Sequence, residues 1–249
     1  MNKKINYINN LCVEVTRKCN MKCAHCLRGP AQTLNLSEEV VDRFVDGLAS
    51  DAVIGSIAFT GGEPSLNVPI IKYIREVFES KGVPVGSFYV VTNGKKNPLS
   101  LMEECLRWYA FVDDKDLDYN GLALSSDRFH DTILDDHLNL LRGLAFFRED
   151  DKKMDPNYPM TLLDEGRARN LASLYTLRPV RDWGLDITEG ETGLTVDEGK
   201  FYLNVKGDIV SGCDWSYESQ NKRTLTSVFT DNWVEKLAQA VSEKSKDAA

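Results

Sequence analysis

The apolar positions of this chain alternate between two spacings, short strand-like runs and longer stretches with helical periodicity. Asn10 to Val15 predicts a short strand. From Ser37, a residue suited to cap a helix, Val40, Val41, Phe44 and Leu48 recur on one face. Ile54 to Phe59 is a compact apolar run of the kind that forms a strand buried on both faces. Pro69 to Ser80 carries Ile70, Ile71, Ile74, Val77 and Phe78 at helical spacing and stops at Gly82. Phe88 to Val91 predicts the next strand and Leu99 to Phe111 the next helix. Leu122 to Leu124 with Asp135 to Phe147, and Met160 to Leu163 with Asn170 to Tyr175, repeat the pair twice more.

A succession of strand–helix units implies a parallel sheet with right-handed crossovers and helices outside it. A full eight-unit barrel takes about 250 residues; this chain shows five clear units and a less regular tail, so an α/β fold with an open, partial barrel fits the count. Residues 1–190 are expected to form that core and 191–249 an extension packed on it. In the extension, Lys200 to Val205 and Ile209–Val210 flank Gly207-Asp208 as a hairpin. A final helix over about Asp231 to Glu243 places Trp233, Val234, Leu237 and Val241 on one face, to pack on the core or on a dimer partner.

Composition narrows the function. At 249 residues and 42% hydrophobic, the chain can bury one sizeable core. No stretch is apolar for long enough to span a bilayer, so no membrane partner is expected. A net charge of −8 argues against a nucleic-acid backbone as the main partner. The runs Asp113 to Asp118 and Arg148 to Lys153 read as solvated connections. The opening residues carry no apolar signal region, which points to a cytoplasmic, reducing setting where disulfides are rare.

The chemistry concentrates at Cys19, Cys23 and Cys26, spaced C-x3-C-x2-C. Cysteine thiolates normally cap all four irons of a [4Fe–4S] cluster. Three of them leave one iron open, as a catalytic zinc site keeps one ligand place free. The competing reading is a structural zinc site, which wants two separated ligand pairs. Here His25 lies between two of the cysteines, and Cys12, Cys105 and Cys213 supply no second pair.

The run Cys19 to Cys26 resembles the signature of the radical S-adenosylmethionine (radical SAM) superfamily. The resemblance implies a (β/α)6 partial barrel with the cysteine loop after its first strand. It also implies one [4Fe–4S] cluster on Cys19, Cys23 and Cys26, and S-adenosylmethionine (SAM) chelating the open iron through its amino and carboxylate groups. Other strand ends carry further likenesses. Thr60-Gly61-Gly62-Glu63-Pro64 is similar to the family's Gly-Gly-Glu-Pro motif, whose backbone at Gly61 and Gly62 and side chain at Glu63 would hold the methionine amino group. Thr92-Asn93-Gly94 reads as a turn, and in the family a Thr-Asn-Gly lines the SAM pocket. Ser125 and Asp127 look like the Ser-x-Asp strand end that suits ribose hydroxyls, with helix capping as the plainer role. His130 reads as a substrate-side acid or base, or as a packed residue. Arg167, in a Gly-Arg-Ala resembling the family's, would pair with the SAM carboxylate; Arg169 competes for that role, and a salt bridge with Glu165 is the alternative. Lys18 and Lys22 either raise the cluster potential or are solvated.

In outline Ser211 to Tyr217 resembles the opening of the cysteine-bearing extensions of peptide-modifying members. Cys213 has no cysteine neighbours in sequence, so a second full cluster is not expected; it reads as packed or as a substrate-contacting thiol. The resemblance therefore implies reductive SAM cleavage to methionine and a 5′-deoxyadenosyl radical, which abstracts hydrogen from a small-molecule or nucleotide substrate. A flavodoxin or ferredoxin would supply the electron. Two alternatives stand beside it. One is a peptide maturase or glycyl-radical activase; the other is a non-enzymatic zinc or iron–sulfur module.

Overall fold

The computed structural model describes residues 3–149, 159–182, 184–191 and 193–247. Residues 150–153 of the charged run beginning at Arg148 lie outside them. The central strand is β1 (Ile5–Thr16), longer than the expected Asn10 to Val15 because Ile5 and Ile8 also reach the core. It leads through the cysteine loop to α1 (Glu38–Asp46), where the Ser37 side chain accepts from the Val40 N–H as a helix cap. The chain continues as β2 (Leu48–Gly61), α2 (Val68–Lys81), β3 (Val85–Thr92), α3 (Pro98–Phe111), β4 (Gly121–Leu124), α4 (Asp135–Arg142) and β5 (Phe147–Arg148). Gly82 ends α2 with φ at +67°, a left-handed cap that glycine adopts without steric cost.

Strands β1 to β5 pair in parallel in sequence order. The expected fifth unit does not join them. The strand β6 (Thr161–Leu163) pairs with β7 (Thr176–Arg178) in a separate sheet, and a short 3-10 helix over Gly166–Leu171 replaces the helix expected at Asn170 to Tyr175. Likewise α4 stops at Arg142, and Phe147, placed in that helix by sequence, starts β5.

The remaining elements are β8 (Asp186–Glu189), β9 (Leu194–Glu198), β10 (Phe201–Leu203), β11 (Asp208–Ser211), α5 (Tyr217–Arg223), β12 (Thr224–Ser227) and α6 (Trp233–Asp247). The expected hairpin forms as β10 and β11, turning at Gly207 with φ at +82°. Both β9 and β10 pair in parallel with β1, so the C-terminal segment is built into the main sheet. The sheet stays open, ordered β12-β11-β10-β1-β2-β3-β4-β5 among the described residues, which makes the fold an α/β partial barrel.

One face of the sheet packs on the helices. Ile54, Ile57, Phe59, Phe88 and Val90 are buried against Ile70, Ile74, Phe78 and Trp108. The final helix docks as its periodicity requires, with Trp233, Val234, Leu237 and Val241 buried and the Trp233 ring 6.2 Å from Phe44. The other face is not buried as the apolar run at Ile54 to Phe59 suggests. Ser56, Ala58 and Thr60 of β2, with Cys12 of β1 and Tyr89 and Val91 of β3, line a cavity.

Candidate active site

That cavity has a volume of about 470 Å³ and is the focus of the site. Cys19, Cys23 and Cys26 all line it and are all free thiols. They sit on the loop that leaves the end of β1, where ligands gather in parallel α/β folds. The root of the loop is pinned by a buried ion pair, Arg17 Nε donating to Glu14 Oε1 at 2.6 Å, and Arg17 Nη2 donates to Gln220 Oε1 at 2.7 Å. Tyr202 Oη donates to the second Glu14 oxygen at 2.7 Å. Sequence reasoning passed over Glu14 and Arg17, although a charge inside an apolar strand and an opposite one just past its end are themselves a signal of internal pairing.

The Gly-Gly pair is explained first by the protein itself. Gly62 N–H donates to the Thr16 carbonyl at 2.7 Å and Glu63 N–H to the Lys18 carbonyl at 2.8 Å, tying the end of β2 to the cysteine loop. A Cβ at Gly61 would collide with the Thr16 carbonyl and one at Gly62 with the Lys18 carbonyl, so only glycine permits this approach. On its other side the loop is braced by the turn after β6. Arg167 N–H donates to the Cys26 carbonyl at 2.9 Å, and a Cβ at Gly166 would meet the carbonyls of Cys26 and Leu27.

Glu63 lines the cavity but is 1% exposed, and its carboxylate is already occupied. It accepts from Thr92 Oγ1 at 2.6 Å, from the Asn93 N–H at 2.7 Å and from the Ser65 N–H at 3.0 Å. Burial pushes its pKa up while these donors pull it back. Glu63 thus locks Gly-Gly-Glu-Pro to Thr-Asn-Gly as one unit. Asn93, held there, donates from Nδ2 to Asn20 Oδ1 at 2.9 Å and stands 4.0 Å from Cys19 Sγ.

The fourth strand end divides its residues. Ser125 and His130 line the cavity, and Ser125 Oγ lies 3.3 Å from His130 Nε2. Asp127 is buried between two histidines, with Oδ2 3.0 Å from His25 Nε2 and Oδ1 2.8 Å from His130 Nδ1. Burial would raise the Asp127 carboxyl, but hydrogen bonds from His130 and His25 outweigh it and hold it below the usual carboxylate range. For His130, burial works downward, and Asp127 and Cys23 lift its pKa to about 9. His25 stacks on Phe129 with ring centres 4.6 Å apart. Through this clamp the fourth strand end grips the cysteine loop.

The Arg167 guanidinium is not among the cavity-lining groups, and its Nε is buried with no hydrogen-bond partner among the described residues. Arg169 pairs instead with Glu165 at 3.1 Å and Asp164 at 3.4 Å. Lys18 and Lys22 are exposed.

Residues 13–111 match the sequence profile of the Radical SAM superfamily. That match takes in the cysteine loop, Gly61-Gly62-Glu63 and Asn93, so this part of the chain is similar to the radical SAM superfamily. Over 98 residues it is 35% identical to a GTP 3′,8-cyclase of Desulforamulus reducens, a match covering 37% of this chain and 28% of that one. It is 25% identical over 126 residues to the putative peptide biosynthesis protein YydG of Bacillus subtilis, covering 50% and 37%. The chain thus spans about a third of these relatives' lengths. The solved structure of anSMEcpe with bound AdoMet and the Cp18Cys peptide shares the fold, with a TM-score of 0.50 at 12% identity, over 96% of this chain and 83% of that one. Radical SAM proteins use a [4Fe–4S] cluster and SAM, and the donor set here fits them: three free thiols open onto one cavity with the Gly61–Gly62 backbone and Asn93 beside them.

Proposed function

We propose that this chain is a radical SAM enzyme acting on an extended, peptide-like substrate, with Cys19, Cys23 and Cys26 as the cluster ligands. The observation that carries the assignment is the convergence of those three thiols on the cavity that Gly61, Gly62, Glu63 and Asn93 also line. Bound there, the cluster and SAM supply hydrogen-atom abstraction by the 5′-deoxyadenosyl fragment of reductively cleaved SAM.

The chain's own residues bind, orient and enclose. Each cysteine gives up its proton to ligate. Gly61 and Gly62 present backbone to the methionine amino group, and Glu63 keeps that strand end and Asn93 in register. Ser125 faces the ribose side, with Asp127 acting from behind it by fixing His130. Arg167 serves the site through its backbone, whose N–H holds the Cys26 carbonyl and so the cysteine loop. Ala58, Tyr89 and Val91 give the cavity an apolar wall, which would limit water and so protect a reactive species from side reactions.

A second cavity of about 450 Å³ supports the peptide reading. It shares Asn10, Lys200, Cys213 and Asp214 with the first, so a substrate can reach past SAM along a continuous wall. The likeness to GTP 3′,8-cyclases favours a nucleotide as the second reading, over the 98 residues it covers. A reductant of the flavodoxin or ferredoxin type and a cytoplasmic setting complete the proposal. No helix among the described residues is long and apolar enough to cross a membrane.

Anaerobically reconstituted protein should be brown, with about four irons and four sulfides per chain, and should release 5′-deoxyadenosine under a low-potential reductant. Cys23→Ala should lose both properties, and retention of either overturns the ligand assignment. A colourless zinc protein would end the radical reading. Screening peptides against nucleoside triphosphates for a rise in 5′-deoxyadenosine separates the two substrate classes.

A further inference from the structure

Two cysteines far apart in sequence meet in the cavity wall. Cys12, in the middle of β1, is buried, and Cys213, two residues past β11, packs against the same small cluster with Tyr202, Val210 and Trp215. Both line the first cavity, and Cys213 also lines the second. The turn carrying Cys213 is held by hydrogen bonds on both sides. Gly212, with φ at +84°, donates from its N–H to the Lys200 carbonyl at 2.9 Å. Trp215 Nε1 donates to the Ser211 carbonyl at 2.8 Å, and Arg28 Nη1 to the Trp215 carbonyl at 2.7 Å.

We propose that Cys213 and Cys12 form a thiol–disulfide exchange site in the cavity wall, where Cys213 attacks a disulfide-bearing small molecule and Cys12 resolves the adduct. The site needs no iron–sulfur cluster. Three features fit exchange chemistry. The attacking sulfur is accessible from two cavities. The two thiols are asymmetric: a hydrogen bond from Cys12, aided by the charges of Lys200 and Arg28, overcomes burial and Asp214 to bring Cys213 down to about 7. Cys12 is pushed well up, first by its bond to Cys213 and then by burial, so it stays protonated and does not compete. An attacking thiol reacts best when its pKa is close to the ambient pH.

In the first step the Cys213 thiolate attacks one sulfur of R–S–S–R′, the S–S bond breaks, and R′–S⁻ leaves with the bonding pair. A mixed disulfide Cys213–S–S–R remains, and the negative charge on Cys213 is gone. Lys200 and Arg28 still bear on Cys12, both lowering its pKa. Cys12 sulfur attacks Cys213 sulfur, R–S⁻ departs, and the Cys12 proton passes to a departing thiolate. Two thiols are oxidised to one Cys12–Cys213 disulfide, and the ligand disulfide is reduced to two thiols.

The test treats the full chain, reduced and desalted under anoxia, with dithiodipyridine, following pyridinethione release and mapping every cysteine by mass. In the wild type, Cys213 should be modified at least about tenfold faster than Cys105, which is buried in α3 and whose thiol burial pushes up, and peptides bearing Cys12 and Cys213 should be found joined. Cys12→Ser should stop at a pyridyl mixed disulfide on Cys213, and Cys213→Ser should leave Cys12 unmodified. A wild-type map with no joined peptide, or Cys213 reacting no faster than Cys105, overturns the proposal. The wild-type map decides the pairing without any variant, and Cys19, Cys23 and Cys26 are assigned separately, so the result reads equally with or without a cluster.

Discussion

Glu63 has a structural role beyond the one proposed for it toward SAM. Its carboxylate satisfies two backbone N–H groups and a hydroxyl while almost wholly buried. Removing it leaves those donors unpaired, each costing about 1–3 kcal/mol. Glu63→Ala is therefore expected to destabilise the cluster-free chain by about 3 kcal/mol in urea unfolding, and also to weaken SAM binding; unchanged stability would mean that Glu63 serves the ligand alone. Asp127 carries a prediction in pH. Its depressed carboxyl contributes stability above the ordinary value of 3.8, which is lost as pH falls. His130, raised from 6.5 to about 9, contributes fully below 6.5 and loses its share as pH rises through about 9. The stability difference between wild type and Asp127→Asn, measured without cluster, should be largest between these two ordinary values and shrink on both sides. A pH-independent difference would remove the charged clamp from the account.

At the scale of elements, the cysteine loop is held by its neighbours. The end of β2 grips it at Thr16 and Lys18, the turn after β6 at Cys26, and the fourth strand end at His25. Gly166→Ala should displace the loop, because the added Cβ meets the backbone of Cys26 and Leu27 and the residue must keep φ at +54°. The expected result is iron incorporation reduced several-fold with the helices intact by circular dichroism; full iron loading would show that the loop is held elsewhere. The α6 contact is of another kind. Leu237 is wholly buried, and Leu237→Ala should cost about 2–5 kcal/mol in unfolding with no change in iron content.

Across the whole molecule, the C-terminal segment completes the sheet. Strand β1 has β2 on one side and β9 and β10 on the other, so among the described residues its second edge is made by residues beyond 190. A chain cut after residue 190 would expose that edge along Leu11, Cys12 and Val13, and unpaired central edges aggregate. The fragment 1–190 is expected to be insoluble or unfolded by circular dichroism, and a soluble, cooperatively melting fragment would contradict this. The same pairing brings Cys213 to Cys12.

The sequence alone determined what is encoded locally. The Ser37 cap, the Gly82 stop, the stripe of α6 and the cysteine triplet depend on residues a few positions apart, and each stands where its spacing places it. The strand ends were legible too, because βα alternation delivers them to one edge. What tertiary structure decided was partnership across the chain. Two-residue β5 has too few positions to show a period, and β6 left the main sheet though its pattern resembles the others. Glu63 turned inward to Thr92 and Asn93, Asp127 to two histidines, and Cys12 met a cysteine some two hundred residues away. Spacing along a chain fixes which side chains share a face; which faces meet depends on strand order, and that is settled only when the whole sheet has assembled.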